Sequence, residues 1–517
     1  MLNITHPFKV FLLATWATGI TIILFFCLKL TDGYLIYSLD DPYIHMAVAD
    51  NILHGNYGIN LGEYASPSSS ILWPWLLTIP EVIGLGMSGP LILNLIFTAT
   101  TLYIASDFII KEGLIRKTSI ITQAVIGLSL IAFTSSLALP FTGMEHSLHV
   151  LLTVAVFIGL VNTTSDGRNS WYLIPAIVLL PLIRFEGYAL SGTAILYLFF
   201  IKQRKEAIIT GALILTATIA YVVYMVTKDL PILPSSVLMK SQAVTSLMVD
   251  TKINHAIIDQ FKENIATIKG NFFLATTGLL FIHALLMWKD YRNRSLICIA
   301  VAMTITAHLF LGREGWFARY EVYCITLSCL SILFIISDKR SDNSEMSKLA
   351  VIMLMLSLII SSYIKIAFVT PYASRAIYEQ QYQMRRFAQD FYHQPIGVND
   401  LGLVSYKNPN YVLDLWGLGS EEVRRLKLEH EYNIDAMEHL LTNHHVGLIM
   451  IYDRWFPQVP KSWKPIANLI NQDRYTTGGN TVTLYVTPEA DQAKLFEDLE
   501  KFKNTLPKRV ALEIFNN

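Results

Sequence analysis

"ILWPWLLTIPEVIGLG", residues 71–86, is apolar enough to pass for a membrane span, and whether it crosses decides the topology of the whole chain. Pro74, Pro80, Gly84 and Gly86 interrupt it. It is also short beside the roughly 20 apolar residues that cover a ~30 Å hydrocarbon core. The neighbouring basic loops decide the question. If the segment does not cross and the amino terminus is cytoplasmic, "KEGLIRK" (111–117), "KQRK" (202–205) and "KDYRNR" (289–294) all face the cytoplasm. That is the side on which Lys and Arg accumulate; a crossing would turn all three outward. The segment therefore reads as a helix at, or dipping into, the outer interface.

The rest of the chain supports a membrane reading. Its 517 residues are 53% hydrophobic and 15% charged, with a mean hydropathy of +0.43. Soluble proteins carry roughly a quarter charged residues. Eleven spans are expected, near 8–28, 89–110, 118–139, 146–163, 171–184, 187–201, 206–227, 271–288, 295–312, 320–337 and 348–368. The first is too long for the core of a signal peptide and lacks a small-residue cleavage site, so it reads as an uncleaved span. Zero net charge gives no basic signature for nucleic acid. Cys27, Cys298, Cys324 and Cys329 lie inside apolar runs and read as small buried hydrophobes. The expected division is a transmembrane module over 1–368, with an outer loop at 29–88, and an extracytoplasmic α/β domain over 369–517. In that domain "PIGVND", "NYVLDLWG", "VGLIMIY" and "TVTLYV" read as strands, and "SRAIYEQQYQMRRFAQDFY", "IDAMEHLLTNH" and "PEADQAKLFEDLEKFKN" as helices.

With this topology the unusual polar residues gather on the outer side. Asp40 and Asp41 are adjacent carboxylates beside a low-dielectric slab, an arrangement that opposes ionisation. Asp41-Pro42 reads as a helix start, Asp41 being the cap, with the helix running to about His54 along the interface. Asp41 would then be tied down and Asp40 left as the freer, more basic carboxylate. The alternative is a cap plus a solvated loop residue. Glu145 and His146 follow Gly143 where a span begins, and Arg184 and Glu186 lie between two apolar runs with almost no loop. Ionisable groups at such positions are functional candidates; they can also be ion pairs, or side chains reaching for headgroups. "PILPSSVLMK" brings Ser235, Ser236 and Lys240 to the outer side, and "GREGWFARYE" supplies Arg313 and Arg319, which suit a lipid phosphate or a headgroup anchor. Together these describe an outward cavity with acid groups, cations and apolar walls, suited to a lipid phosphate with a polar headgroup.

"DDPYIHMAVADNILHGNYGINLGEYASPSSSILWPWLL" resembles the first outer loop of GT-C glycosyltransferases, closest to the arabinofuranosyltransferase-like group of cell-envelope synthesis. The likeness rests on Asp40-Asp41-Pro42-Tyr43, Gly55-Asn56-Tyr57-Gly58 and Ser66-Pro67, then in order on Thr142-Gly143-Met144-Glu145 and Arg184-Phe185-Glu186-Gly187. Phe185 stands where the family has proline, and "LPSSVLMK" has Ser235 in place of asparagine. "VNDLGLVSY" and "VLDLWGLGS" resemble the start of the family's outer C-terminal domain.

The resemblance implies an all-α polytopic membrane enzyme of a bacterial inner (plasma) membrane, with a cytoplasmic amino terminus and a periplasmic C-terminal domain. It would move one sugar, arabinofuranose by the family's suggestion, from a polyprenyl-phosphate donor to a glycan, glycolipid or protein acceptor. Asp40, Asp41 and Glu145 would be the catalytic set, Asp40 favoured as base. Arg184, Lys240, Arg313 and Arg319 would hold the donor phosphate. Tyr43, His45, His54, Ser66, His146, Glu186 and Ser236 would line the substrate. No cofactor is required and no ligand cluster forces a metal, although a divalent ion would be compatible. The rivals are a flippase of lipid-linked sugar, with charges through the depth of several helices and inverted repeats, a structural envelope subunit, and an en bloc oligosaccharyltransferase.

Overall fold

The structure is a computed structural model and describes residues 6–116, 118–166, 170–240, 253–337 and 345–515. A helix occupies each interval read as a span: Pro7–Leu30, Gly89–Lys111, Ile120–Phe133, His146–Asp166, Leu173–Ile183, Gly187–Phe200, Arg204–Val226, Ile268–Met287, Arg292–Leu311, Val322–Ile336 and Glu345–Glu379. Among the described residues, 6 helices are long and apolar enough to cross a membrane, and four further apolar helices are shorter. This is a multi-pass membrane protein with a C-terminal sheet domain. The segment 71–86 holds only the helix Trp73–Val82, with Pro80 inside it; ten residues reach ~15 Å, half of a bilayer core.

Packing divides the chain into two units. The first comprises 1–23, 91–221 and 243–368; the second comprises 24–90, 222–242 and 369–517. The composition change at 369 thus coincides with a unit boundary. Residues 24–90 fall in the same unit as 369–517.

In the first unit the helix ends follow local chemistry. Ser119 caps Ile120–Phe133 by accepting the Thr122 amide at 3.2 Å, and Thr267 caps Ile268–Met287 by accepting that of Gly270 at 2.8 Å. Hydroxyls meet between helices, Thr193 with Thr304 at 2.8 Å and Tyr188 with Thr218 at 2.7 Å. Buried Lys9 pairs with Asp107 and stands 4.2 Å from the Tyr103 ring centre.

The second unit is built on a six-stranded sheet of β1 (Ile396–Val398), β2 (Val412–Asp414), β3 (Leu448–Ile451), β4 (Lys464–Asn471), β5 (Thr481–Val486) and β6 (Val510–Ile514). The order is β2-β1-β3-β5-β4-β6; β1 runs parallel to β2 and β3, and the remaining pairs are antiparallel. Two strands were not read from sequence. In β4, Pro465 sits where the register slips against β5, the kind of irregularity at which a strand tolerates proline. In β6, only Val510 and Leu512 turn fully inward. One face is covered by the helix Ile434–Asn443, whose Met437, Leu440 and Leu441 pack with Leu413, Ile449, Ile451 and Trp463.

The 29–88 loop docks onto the sheet domain of its unit through polar side chains. Asn60 imitates a strand partner: its Oδ1 accepts the Val412 amide at 2.9 Å and its Nδ2 donates to the Val412 carbonyl at 3.0 Å. Glu81 takes the Tyr406 hydroxyl at 3.1 Å and pairs with Lys407. The helix Asp41–Leu53 begins where expected, but every residue from Pro42 to Ala49 is buried, so it lies within protein rather than along the interface. Its small residues Ala47 and Ala49 permit close packing against Trp73–Val82 and against the short helix Gly402–Ser405.

Candidate active site

Two clusters of ionisable residues stand out, one in each unit. In the second unit Asp40, not Asp41, takes the capping position of the helix, and its carboxylate turns away from it. Oδ2 accepts the amide of Gly402 at 2.7 Å, and Oδ1 that of Leu403 at 2.9 Å. This reverses the sequence expectation. Local capping logic assigns the amides to Asp41, whereas a long-range partner in the C-terminal domain claims Asp40. Gly402 is required there, since a Cβ on it would lie 2.1 Å from the Asp40 carbonyl oxygen and 2.6 Å from its carboxyl group. Burial pushes the Asp40 carboxyl up, the charge of Asp400 adds to the shift, the two amides oppose it and Asp41 adds a smaller push; the result is about 8.

Several expected substrate-lining residues of this unit are engaged within the protein. The Tyr43 hydroxyl accepts the Tyr37 amide at 2.9 Å in full burial. His45 Nδ1 meets the Ser68 hydroxyl at 3.0 Å, and exposed His54 meets the Asp50 carbonyl at 2.9 Å at the helix end. Ser66 bonds to the "PILPSS" turn: its carbonyl accepts the Ser235 amide at 2.9 Å and the two hydroxyls stand 3.3 Å apart. The buried Ser236 hydroxyl has no partner among the described residues. Lys240 closes the helix Ser235–Lys240, and its side chain lies outside the described residues.

The first unit brings together Glu145, Arg184 and Glu186. Arg184 has extended backbone (φ −147, ψ 138), which ends the helix Leu173–Ile183. Gly187 starts the next helix so close to Leu180 that a Cβ would lie 2.5 Å from its carbonyl carbon. Two helices therefore meet almost without a loop, and both charges are forced inward. Gly143, at φ 66, ends the turn Leu139–Thr142 and delivers Glu145 to the same place. Arg184 Nη1 donates to Glu145 Oε1 at 2.9 Å, and Nε and Nη2 grip both oxygens of Glu186 at 3.1 and 2.6 Å. Burial works against ionising Glu186, but Arg184 outweighs it and holds the carboxyl down at about 2.

Tyr320 is the hub that the sequence reading did not mark. Its ring centre lies 5.6 Å from the Arg184 guanidinium, 5.1 Å from that of Arg319 and 6.4 Å from the His146 ring. Arg319 is buried and donates to the Tyr320 hydroxyl at 3.2 Å, whereas Arg313 is exposed. Also unmarked were Lys269 and Glu321, which pair, and His149 and His308, which flank Tyr323. Among the described residues no group of three or more His, Cys, Asp or Glu side chains is arranged to hold a metal ion.

A family model described as a domain of unknown function (DUF8728) matches residues 374–485, the segment that carries Asp400, Gly402 and Leu403. No curated protein matches the chain. Among solved structures, an oligosaccharyltransferase of Archaeoglobus fulgidus in the apo form is similar over 96% of this chain and 76% of its own, at 9% identity and a TM-score of 0.41. A likeness at that level carries neither activity nor substrate across.

Proposed function

We propose that this protein is a GT-C glycosyltransferase that moves a monosaccharide from a polyprenyl-phosphate donor to a glycan, glycolipid or protein acceptor on the outer face of a bacterial inner membrane. The observation that carries the reading is Asp40: a carboxylate held by two backbone amides and pushed up to about 8, suited to take a proton. The ordered motif resemblance supplies the reaction class. Asp40 takes the acceptor hydroxyl proton, and the acceptor oxygen forms its bond to the anomeric carbon. The bond from that carbon to the phosphate oxygen breaks, with its electron pair leaving on the phosphate, so configuration inverts. Lys240, which the motif resemblance assigns to the donor phosphate, is the group proposed to stabilise it. Arg184, gripped by two glutamates, fits a structural and orienting role better than that of a phosphate ligand. The leaving group is already a stable anion, so the step as written requires no metal.

The test is transfer from a labelled polyprenyl-phosphate sugar by the full chain in proteoliposomes, with arabinofuranosyl and hexopyranosyl donors compared. Single-sugar transfer that Asp40→Asn abolishes supports the reading. Unchanged turnover in that variant overturns the role of Asp40, and a product carrying a whole oligosaccharide overturns the monosaccharide assignment.

A further inference from the structure

The sheet domain holds a cavity that belongs to neither cluster described above. It measures about 270 Å³, and Lys427, Tyr432, Asn433, Trp455, Phe456 and Gln458 are among the residues that line it. Pockets for drug-sized ligands run from roughly 300 to 1,000 Å³, so this one admits a single small ring and not a chain. Its aromatic walls are fixed in place: Phe456 belongs to the buried core, and Tyr432 and Trp455 pack against it. The Tyr432 hydroxyl donates to the Leu415 carbonyl at 3.1 Å, and the Trp455 ring centre stands 4.9 Å from that of Trp416. Lys427 is the cation of the site. Its Nζ donates to the Trp416 carbonyl at 3.0 Å and lies 4.4, 4.9 and 6.0 Å from the ring centres of Trp416, Tyr432 and Phe456. The acid whose charge it feels, Asp414, is committed to backbone. Its Oδ1 accepts the Trp416 amide at 2.8 Å, and its Oδ2 accepts those of Leu418 and Gly419 at 2.5 and 2.7 Å. Among the described residues Lys427 has no carboxylate in contact, and burial pushes its ammonium down to about 8.

We propose that this cavity binds a single acidic sugar ring, its carboxylate paired with Lys427 and its apolar face laid on the aromatic wall. The site goes beyond the transferase reading and does not rest on it. An ammonium has three donors and no acceptor. Lys427 spends one donor on the Trp416 carbonyl, and a carboxylate would take the others and supply the missing counter-charge. The electron-rich faces of the rings attract the C–H groups of a sugar. Two exposed amide side chains complete the lining. Asn433 spends its Oδ1 on the Ala436 amide at 3.0 Å, as the cap of the helix Ile434–Asn443, which leaves Nδ2 to donate. Gln458 carries a donor and an acceptor, the pair that ring hydroxyls match. The cation selects an anion, the rings select a ligand with an apolar face, and the amides select hydroxyls. An acidic sugar meets all three; a neutral sugar lacks the first and an aromatic acid the last.

The experiment titrates the full chain in nanodiscs, by calorimetry, with methyl glucuronoside, methyl glucoside, benzoate and acetate. Methyl glucuronoside is expected to bind about tenfold tighter than any of the other three. Lys427→Met keeps the length of the side chain and drops its charge. It is expected to remove the advantage of the glucuronoside and to leave methyl glucoside binding unchanged. A Lys427 that merely holds the Trp416 carbonyl would lower Tm in that variant without changing the ranking of the probes. If Lys427→Met does not fold, the wild-type chain decides. Acylation of Lys427 by an amine-reactive ester, followed by mass spectrometry, is expected to slow severalfold with methyl glucuronoside and not with methyl glucoside at the same concentration. Equal affinity for the two sugars, or a Lys427 that the glucuronoside leaves unprotected, overturns the carboxylate pairing. Benzoate or acetate binding as tightly as the glucuronoside overturns the sugar assignment, and no binding of any probe overturns the site.

Discussion

The two units bury carboxylates in opposite ways. Around Arg184 the acids come with their counter-ion: one guanidinium, two glutamates, and Glu186 held down at about 2. Around Asp40 the described hydrogen bonds come from neutral amides, a second carboxylate stands nearby, and the group is pushed up to about 8. The first arrangement fixes charge and resists titration. The second keeps a proton within reach of neutral pH, which is what a base needs and what a structural ion pair avoids.

The most severe expected break is Asp40→Asn. A positioned general base is worth roughly 10²–10⁴ in rate, so transfer should fall about a thousandfold. Stability carries a pH-dependent part. The folded-state value of about 8 lies above the ordinary 3.8, so the folded protein binds the proton more tightly and loses stability as pH rises from about 4 to about 8. Asparagine removes that pH-dependent loss, but it offers one acceptor oxygen where Asp40 offers two. One of the Gly402 and Leu403 amides therefore loses its partner at a cost of about 1–3 kcal/mol. Tm should fall modestly and no longer depend on pH between about 4 and about 8 through this residue. A variant that is inactive and also destabilised well beyond that would show that Asp40 is structural.

Arg184→Met tests the other half of the contrast. Removing the cation leaves Glu145 and Glu186 buried beside each other, and breaking a buried pair from one side costs about 3–5 kcal/mol. Thermal unfolding in nanodiscs should show this loss, with part of it recovered by adding Glu186→Gln. A loss of activity with Tm unchanged would mean that Arg184 acts on substrate, as the sequence reading proposed.

The difference in how legible the two clusters were has a physical origin. "RFEG" and "TGMEH" announce themselves because charge between apolar runs cannot be solvated, so the partners had to be each other or a ligand. The sequence leaves the ion-pair alternative open for Arg184 and Glu186, and the geometry contains that pair. The helix intervals were legible for a similar reason: length and hydropathy are local quantities. The Asp40 clamp is a long-range fact. Asp41-Pro42 satisfies every local rule for a helix start, and nothing near it says that the Gly402 amide will claim the other aspartate. In the sequence Asp400 reads only as the end of a strand, and Gln380 and Gln381 only as part of a helix. In the fold Gln381 donates to Asp400 at 2.9 Å and Gln380 to Asn471 at 3.0 Å. A pair of adjacent glutamines just beyond an apolar run was the signal available, since two buried amide side chains require a network. Tyr320, between two arginines, offered none.

A milder effect separates the clusters by pH. Because a base must be deprotonated to act, kcat/KM should rise as pH increases through about 8 and level off above it. Glu186, held at about 2, stays ionised throughout that range and contributes no limb. A profile that is flat from pH 6 to 9 would show that the group pushed up in the structure is not the one that takes the proton.

The smallest expected effect concerns Ser66. Its carbonyl still accepts the Ser235 amide when the side chain is gone, so the "PILPSS" turn keeps its main attachment. The hydroxyl adds a contact of 3.3 Å to Ser235 and one of 3.3 Å to the same amide, both long. Ser66→Ala should therefore cost about 1 kcal/mol or less in stability and change transfer by less than a few fold. The residue was assigned to the substrate on sequence grounds, and the measurement discriminates sharply. A tenfold or greater rise in donor KM with Tm unchanged would mean that Ser66 turns its hydroxyl to the ligand, and that this turn, and not only the Asp40 clamp, belongs to the working surface of the second unit.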